Sequence, residues 1–271
     1  MEEKNGSWLV PVAIIICILL IGGAVYFKDK TGSNNGNNAS STGAIPTELS
    51  QLLKPAENID LAKLRPIDGT DKLRGQASAP IKIIVYTDLE CPAWKYFHDQ
   101  LKTIEAKYVT SGQVAISYRD LPLDQIHPKS RTEFLAAECV KEVGGLDKYW
   151  QFIDKIFEIT PSNNGLEIAK LGETAKALGV ETNSFNTCVS SKKFAANIEK
   201  SVQEATALGI QGTPFFVVIT KDQTIPVYGA APSEALSAAF DIILGTNKAP
   251  TPEAAAPTNG IVAGTSTTVT Q

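Results

Sequence analysis

No Cys-x-x-Cys pair occurs in this sequence, its two histidines do not sit at ligand spacing, and no loop is rich in aspartate. The donor sets that zinc and calcium sites need are missing, so no metal or other cofactor is expected. Basic residues are also too few: 25 Lys and Arg against 29 Asp and Glu leave a net charge of −4 and a pI near 5.4. No basic stripe interleaved with aromatics offsets this, which sets a nucleic-acid partner aside. Charge is missing altogether from Trp8 to Phe27, a run of 20 residues. At about 1.5 Å of rise per residue the run matches a bilayer core, and it reads as one transmembrane anchor. A cleaved signal peptide is the alternative, because Gly22-Gly23-Ala24 offers small residues.

What is present is organised around residues 81–100, IKIIVYTDLECPAWKYFHDQ. Ile81, Ile83, Ile84 and Val85 form the β-branched run of an interior strand, and Asp88 ends it. Proline is favoured at the first position of a helix, so Pro92 places Cys91 at or next to the N-cap. The free amides and dipole of a helix N-terminus stabilise a thiolate there. Cys91 is the leading candidate nucleophile. Downstream, Val114–Tyr118 alternates as a second strand, parallel to the first if the crossover is right-handed. Pro66–Pro80 reads as loop.

From Ser130 to Gly209 no strand is legible. Four helical faces are: Leu135, Cys139 and Val143; Tyr149, Ile153, Ile156 and Phe157; Leu171, Ala175 and Leu178; Phe194, Ile198, Val202 and Ala205. Leu178-Gly179-Val180 and Leu208-Gly209-Ile210 both carry the glycine stop of a Schellman motif. Phe215–Thr220 and Thr224–Tyr228 read as paired strands, and Pro232–Leu244 as a closing helix.

The segment Thr87 to His98, with Cys91-Pro92-Ala93-Trp94 at its centre, resembles the active-site segment of DsbA-like thioredoxin-fold proteins. Gly212-Thr213-Pro214-Phe215 resembles the cis-proline loop that faces the cysteine in that family. The resemblance covers roughly residues 66–246. It implies an α/β thioredoxin-like fold with an inserted helical subdomain at about 128–209, here preceded by the transmembrane helix. The expected organisation is a flank at 1–7, the anchor at 8–27, a flexible linker at 28–46, an extension at 47–79, the domain at 80–246 and a disordered tail at 247–271.

The departure from the family is Trp94, which stands where the second cysteine of Cys-Pro-x-Cys belongs. Without it the internal disulfide cannot form, which leaves monothiol exchange at Cys91. Trp94, one turn on, is expected to lie on the same face and shield the sulfur in part. Thr213 and Pro214 are implied to dock an extended client segment. The partners implied are thiols or disulfides of exported proteins, with a small thiol or a membrane redox protein as co-substrate.

Three cysteines lie outside the apolar run, which fits one bridge, Cys139–Cys188, and one free thiol. Both read as helix-borne; two buried free cysteines are the alternative. Lys4 before the apolar run and Lys28 and Lys30 after it lean towards an internal domain. The bridge and the family resemblance call for an oxidising compartment, so the domain is placed on the extracytoplasmic side.

Two competing classes stay open. One is a non-catalytic client binder with Trp94 as an apolar contact. The other is a Cys-His hydrolase in which His127 approaches Cys91. His98, seven residues along the helix, is about 10.5 Å from Cys91 in axial rise and too far to act as its base.

Overall fold

Ile81, Ile83, Ile84 and Val85 are fully buried because their strand is the middle one of five and both of its faces are covered. In the computed structural model, which describes residues 45–246, the sheet order is β1-β3-β2-β4-β5. The strands are β1 (Lys72–Arg74), β2 (Ile81–Thr87), β3 (Val114–Asp120), β4 (Phe215–Ile219) and β5 (Thr224–Tyr228). β2 runs parallel to β3, with Ile83 opposite Ile116, and antiparallel to β4, with Val85 opposite Phe216. The parallel pairing follows from the right-handed crossover through α2 (Pro92–Ile104), the helix that Cys91 opens. α2 runs straight on into a turn of π-helix, Glu105–Val109.

The period-2 alternation of β2 sorts its side chains onto two faces. Ile81, Ile83 and Val85 join the larger core, which also holds Trp94, Phe97 and Leu101 of α2 and Leu236 and Phe240 of α8 (Ser233–Ile243). Ile84 and Tyr86 point the other way, onto Phe215 and Val217 of β4 and onto Ala205 and Leu208 of α7 (Ala195–Leu208). A short first helix, α1 (Thr47–Leu53), buries Leu49 and Leu53 in the larger core.

Between β3 and β4 stand α3 (Ser130–Gly144), α4 (Leu146–Ile159), α5 (Ala169–Ala177), α6 (Thr182–Ser191) and α7. Four apolar faces were legible there, and the fifth helix is α6. Its sequence, TNSFNTCVSS, is rich in residues that prefer turns, and only Phe185 and Cys188 are buried. Two things hold it. The Glu181 carboxylate caps it by accepting from the Asn183 and Ser184 amides at 2.8 and 2.7 Å, and a disulfide joins Cys188 to Cys139 of α3. The glycine stops take the expected form: Gly179 and Gly209 have φ of +71° and +86°. The amides of Val180 and Ile210 donate back to Ala175 and Ala205 at 3.0 and 2.9 Å.

The segment 66–80 is not all loop. Lys72–Arg74 adds an edge strand antiparallel to β3, three residues too short to show a period. The strand carries a charge that ties the insertion to the sheet. Lys72, 6 % exposed, donates to Asp120 at 2.8 Å and to Glu138 of α3 at 2.7 Å. Among the described residues no helix is long and apolar enough to cross a membrane. Residues 1–44 and 247–271, which hold the apolar run at 8–27, the linker up to its last two residues and the tail, lie outside the described residues.

Candidate active site around Cys91

The turn that delivers the thiol is built from Asp88. Its carbonyl accepts from the Cys91 amide at 3.2 Å, and one carboxylate oxygen accepts from the Glu90 amide at 2.9 Å, an Asx-type turn. Cys91 then takes the N-cap position in extended conformation, with Pro92 as the first helical residue. Its carbonyl accepts from the amides of Trp94 and Lys95 at 3.0 and 3.1 Å. Cys91 is the free cysteine among the described residues and is 7 % exposed.

The Sγ donates to the carbonyl of Thr213 at 3.6 Å, and the Thr213-Pro214 bond is cis. The two segments that carry the family resemblance therefore meet at the sulfur. Burial pushes the thiol above its ordinary value. The contact with Thr213 and the amides of Trp94 and Ala93 work the other way, and the charge of Asp88 adds to the rise. The helix N-terminus acts on Cys91 as expected, but burial outweighs it.

Trp94 is buried in the core and leaves no ring surface open to a client. It is 0 % exposed, its indole N–H donates to the Tyr86 carbonyl at 3.0 Å, and its ring packs on Tyr118, Phe157 and Phe97 at 5.0–5.5 Å. The third helical position faces the sheet, and a large aromatic there completes the core. His127 does not pair with Cys91 either: its Nδ1 lies 2.9 Å from the Asp88 carboxylate. His98 is turned away, between Tyr118 at 3.1 Å and Asp154 at 3.2 Å.

Two carboxyls that sequence reasoning did not connect complete the surroundings. Glu90 and Glu133 of α3 are both fully buried. One Glu90 oxygen accepts from the Asn164 amide at 2.6 Å, while the other, and both oxygens of Glu133, find no protein donor. Contact between the two becomes a hydrogen bond only when one carries a proton. Burial, then the bond to Glu90 and the charges of Glu90 and Asp88, push Glu133 up to about 10, so Glu133 is the protonated partner. No local signal marks the pair, because a glutamate in a helix ordinarily reads as surface. Glu90 also anchors the loop after α4, its carbonyl accepting from Asn163 at 2.8 Å. In that loop Ser162, Asn163 and Asn164 all have positive φ, and Lys129 caps it by donating to the carbonyls of Asn164 and Leu166.

The buried pair has a pH signature. An acid whose folded value is raised from 4.5 to about 10 contributes stability that is complete below about pH 4.5 and is lost as pH rises towards 10. Glu133→Gln keeps a donor for Glu90 and removes the ionisation. The variant should be more stable than the parent by an amount that grows with pH, on the order of 1–3 kcal/mol at the alkaline end. Denaturant unfolding at acidic and at alkaline pH checks this, and a gap that does not change with pH contradicts it.

A thioredoxin family model matches residues 68–238. Among solved structures, oxidised BdbD of Bacillus subtilis is 22 % identical with a TM-score of 0.57, over 69 % of this chain and 96 % of that one. Wolbachia pipientis alpha-DsbA1 is 24 % identical with a TM-score of 0.58, over 68 % and 94 %. At these identities the likeness is one of fold. Disulfide bond formation protein D of Bacillus subtilis is 27 % identical over 165 residues, 57 % of this chain and 72 % of that protein. Na(+)/H(+) antiporter NhaA 1 of Mycolicibacterium gilvum is 26 % identical over 193 residues, 70 % of this chain, and the chain spans 30 % of the antiporter's length. With the family model matching over half of the chain, the chain belongs to the thioredoxin family, and its fold is like that of the DsbA proteins.

Proposed function

We propose that this protein carries out monothiol thiol–disulfide exchange on exported proteins, with Cys91 as nucleophile and the Thr213-Pro214 loop as the docking edge for the client. The observation that carries the reading is the free Cys91 thiol at the N-cap of α2, in contact with the Thr213 carbonyl. The Cys91 thiolate attacks one sulfur of a client disulfide; an S–S bond forms to Cys91, the client S–S bond breaks, and the second client sulfur leaves as a thiolate. A client cysteine, a small thiol or a membrane redox protein then attacks the mixed disulfide and returns Cys91 as thiolate, so no internal partner is needed. The Cys139–Cys188 bridge supports an oxidising, extracytoplasmic setting. The apolar run at 8–27 supports attachment to the membrane.

The test is exchange with glutathione disulfide, read by mass. The chain should gain one glutathionyl group, released by excess thiol, and Cys91→Ser should gain none. A second reading, a client-binding module without exchange, is favoured by the burial of Cys91, which is 7 % exposed. It requires that Cys91→Ser bind an unfolded client as well as the parent does while the parent forms no mixed disulfide.

A further inference from the structure

Cys91 is preceded by two buried acids, and each has its own proton source. The charge of Glu90 faces the protonated Glu133. The charge of Asp88 faces His127, which is 4 % exposed and bonded to it at 2.9 Å. Asp88 is itself fully buried, and its second carboxylate oxygen also accepts from the Leu123 amide at 2.8 Å. The carboxylate is therefore held in place whether or not the imidazole is charged. Its backbone carbonyl holds the Cys91 amide, so the same residue fixes the position of the thiol and sets part of the field on it.

We infer that His127 is a positioning residue for Cys91, its proton deciding how much of the Asp88 charge the thiol experiences. The inference rests on the proposal that Cys91 is the reacting group. With imidazolium against it, Asp88 belongs to a neutral pair and opposes the thiolate little. With neutral imidazole, the buried carboxylate stands uncompensated three residues from the sulfur and disfavours thiolate.

The other groups that face His127 set where it titrates. Burial opposes its charge, but the bond to Asp88, the Asp88 charge, Asn163 of the loop after α4, and the Glu90 charge together raise it above its ordinary value. Around the two carboxylates stand, from α3, Glu133, whose raised value keeps it protonated, and at the start of α3 Lys129, whose ammonium is engaged by the loop carbonyls. The imidazole therefore titrates above its ordinary value, and burial holds the thiol above its own. Coupled sites of this kind titrate together, and thiolate formation at Cys91 in turn favours the charged imidazole.

The experiment is the pH dependence of Cys91 alkylation by iodoacetamide, a neutral reagent, on the full chain in detergent from about pH 5 to about pH 9.5, with the adduct located by mass mapping. The parent should show a logarithmic rate that climbs, flattens across the His127 titration, and climbs again. His127→Gln, which keeps a donor for Asp88 but no charge, should lose the shoulder, react roughly three- to tenfold more slowly on the acid side, and converge with the parent at alkaline pH. A purely structural role for His127 would shift the rate at every pH. Asp88→Asn should react faster than the parent above the His127 titration, where the parent's carboxylate stands uncompensated, and should lose the parent's shoulder.

If His127→Gln does not fold, the imidazole titration of the parent by NMR decides, with the signal distinguished from that of His98 by His98→Gln. A His127 that titrates above its ordinary value in step with the shoulder supports the coupling, and one that does not titrate overturns it. A single-slope profile in the parent, or superimposable parent and His127→Gln profiles, overturns the coupling but leaves Cys91 as nucleophile. A folded chain whose Cys91 reacts at no pH overturns both.

Discussion

Replacing Cys139 and Cys188 together by alanine should lower the stability of the domain by about 4 kcal/mol, the chain-entropy value for a loop of this length. The bridge spans a sequence separation of 49, which takes in all of α4 and α5 and most of α6. For a domain of this size the loss corresponds to a fall in Tm on the order of 10 °C. Both sulfurs lie in the larger core, with Cys139 1 % and Cys188 8 % exposed, so alanine adds a small cavity term of the same sign. α6 should be the first element to loosen, because its own sequence favours turns and Glu181 is the other thing that holds its start. Thermal unfolding of parent, reduced parent and double variant, with hydrogen exchange at Thr182–Ser191, checks both statements. An unchanged Tm with unchanged exchange would mean that the unfolded chain is already compact across this loop.

How much of this could be read in the sequence depended on whether the signal was local. β2 and the Cys91 turn were legible because a β-branched run, an Asp and a Pro fall within a dozen residues and each has one structural reading. The glycine stops at 179 and 209 were legible for the same reason, since a left-handed residue followed by an apolar one is a local motif. β1 was not, because three residues have no period; α6 was legible only as the helix that bears Cys188, with no apolar face, since its cap and disulfide act in place of propensity. At the site, the meeting of Cys91 with Thr213 came from the family resemblance rather than from any pattern in either segment. The electrostatic partners were invisible for a related reason. Asp88 and His127 are 39 residues apart, and Glu90 and Glu133 sit on different elements, so only the crossover of the chain between β3 and α3 brings them together. The full burial of the side chain at 94 was not legible, because helical spacing gives a face but not which face is buried; the sheet decides that.

The same core position supplies the second large effect. Trp94→Cys restores the spacing of the family's dithiol site, and it should cost about 3–5 kcal/mol, since a fully buried indole is replaced by a small side chain. The losses are specific: the contacts with Tyr118, Phe157 and Phe97, and the hydrogen bond to the Tyr86 carbonyl. In return the variant gains a thiol one turn from Cys91, with Thr213 still in contact with the nucleophile. In an oxidising glutathione buffer the 91 and 94 thiols should pair, and neither should then be open to alkylation. Mixed disulfides on Cys91 should become short-lived, because the new thiolate attacks the Cys91 sulfur and expels the client thiol. Trp94→Phe separates the two consequences: it fills more of the cavity, costs less stability and offers no resolving thiol, so its mixed disulfides should last as long as those of the parent. If the 91 and 94 thiols of Trp94→Cys both remain alkylatable under oxidising conditions while the chain stays folded, position 94 points too deeply into the core to resolve Cys91. The monothiol character would then follow from the geometry of the helix and not from the substitution alone.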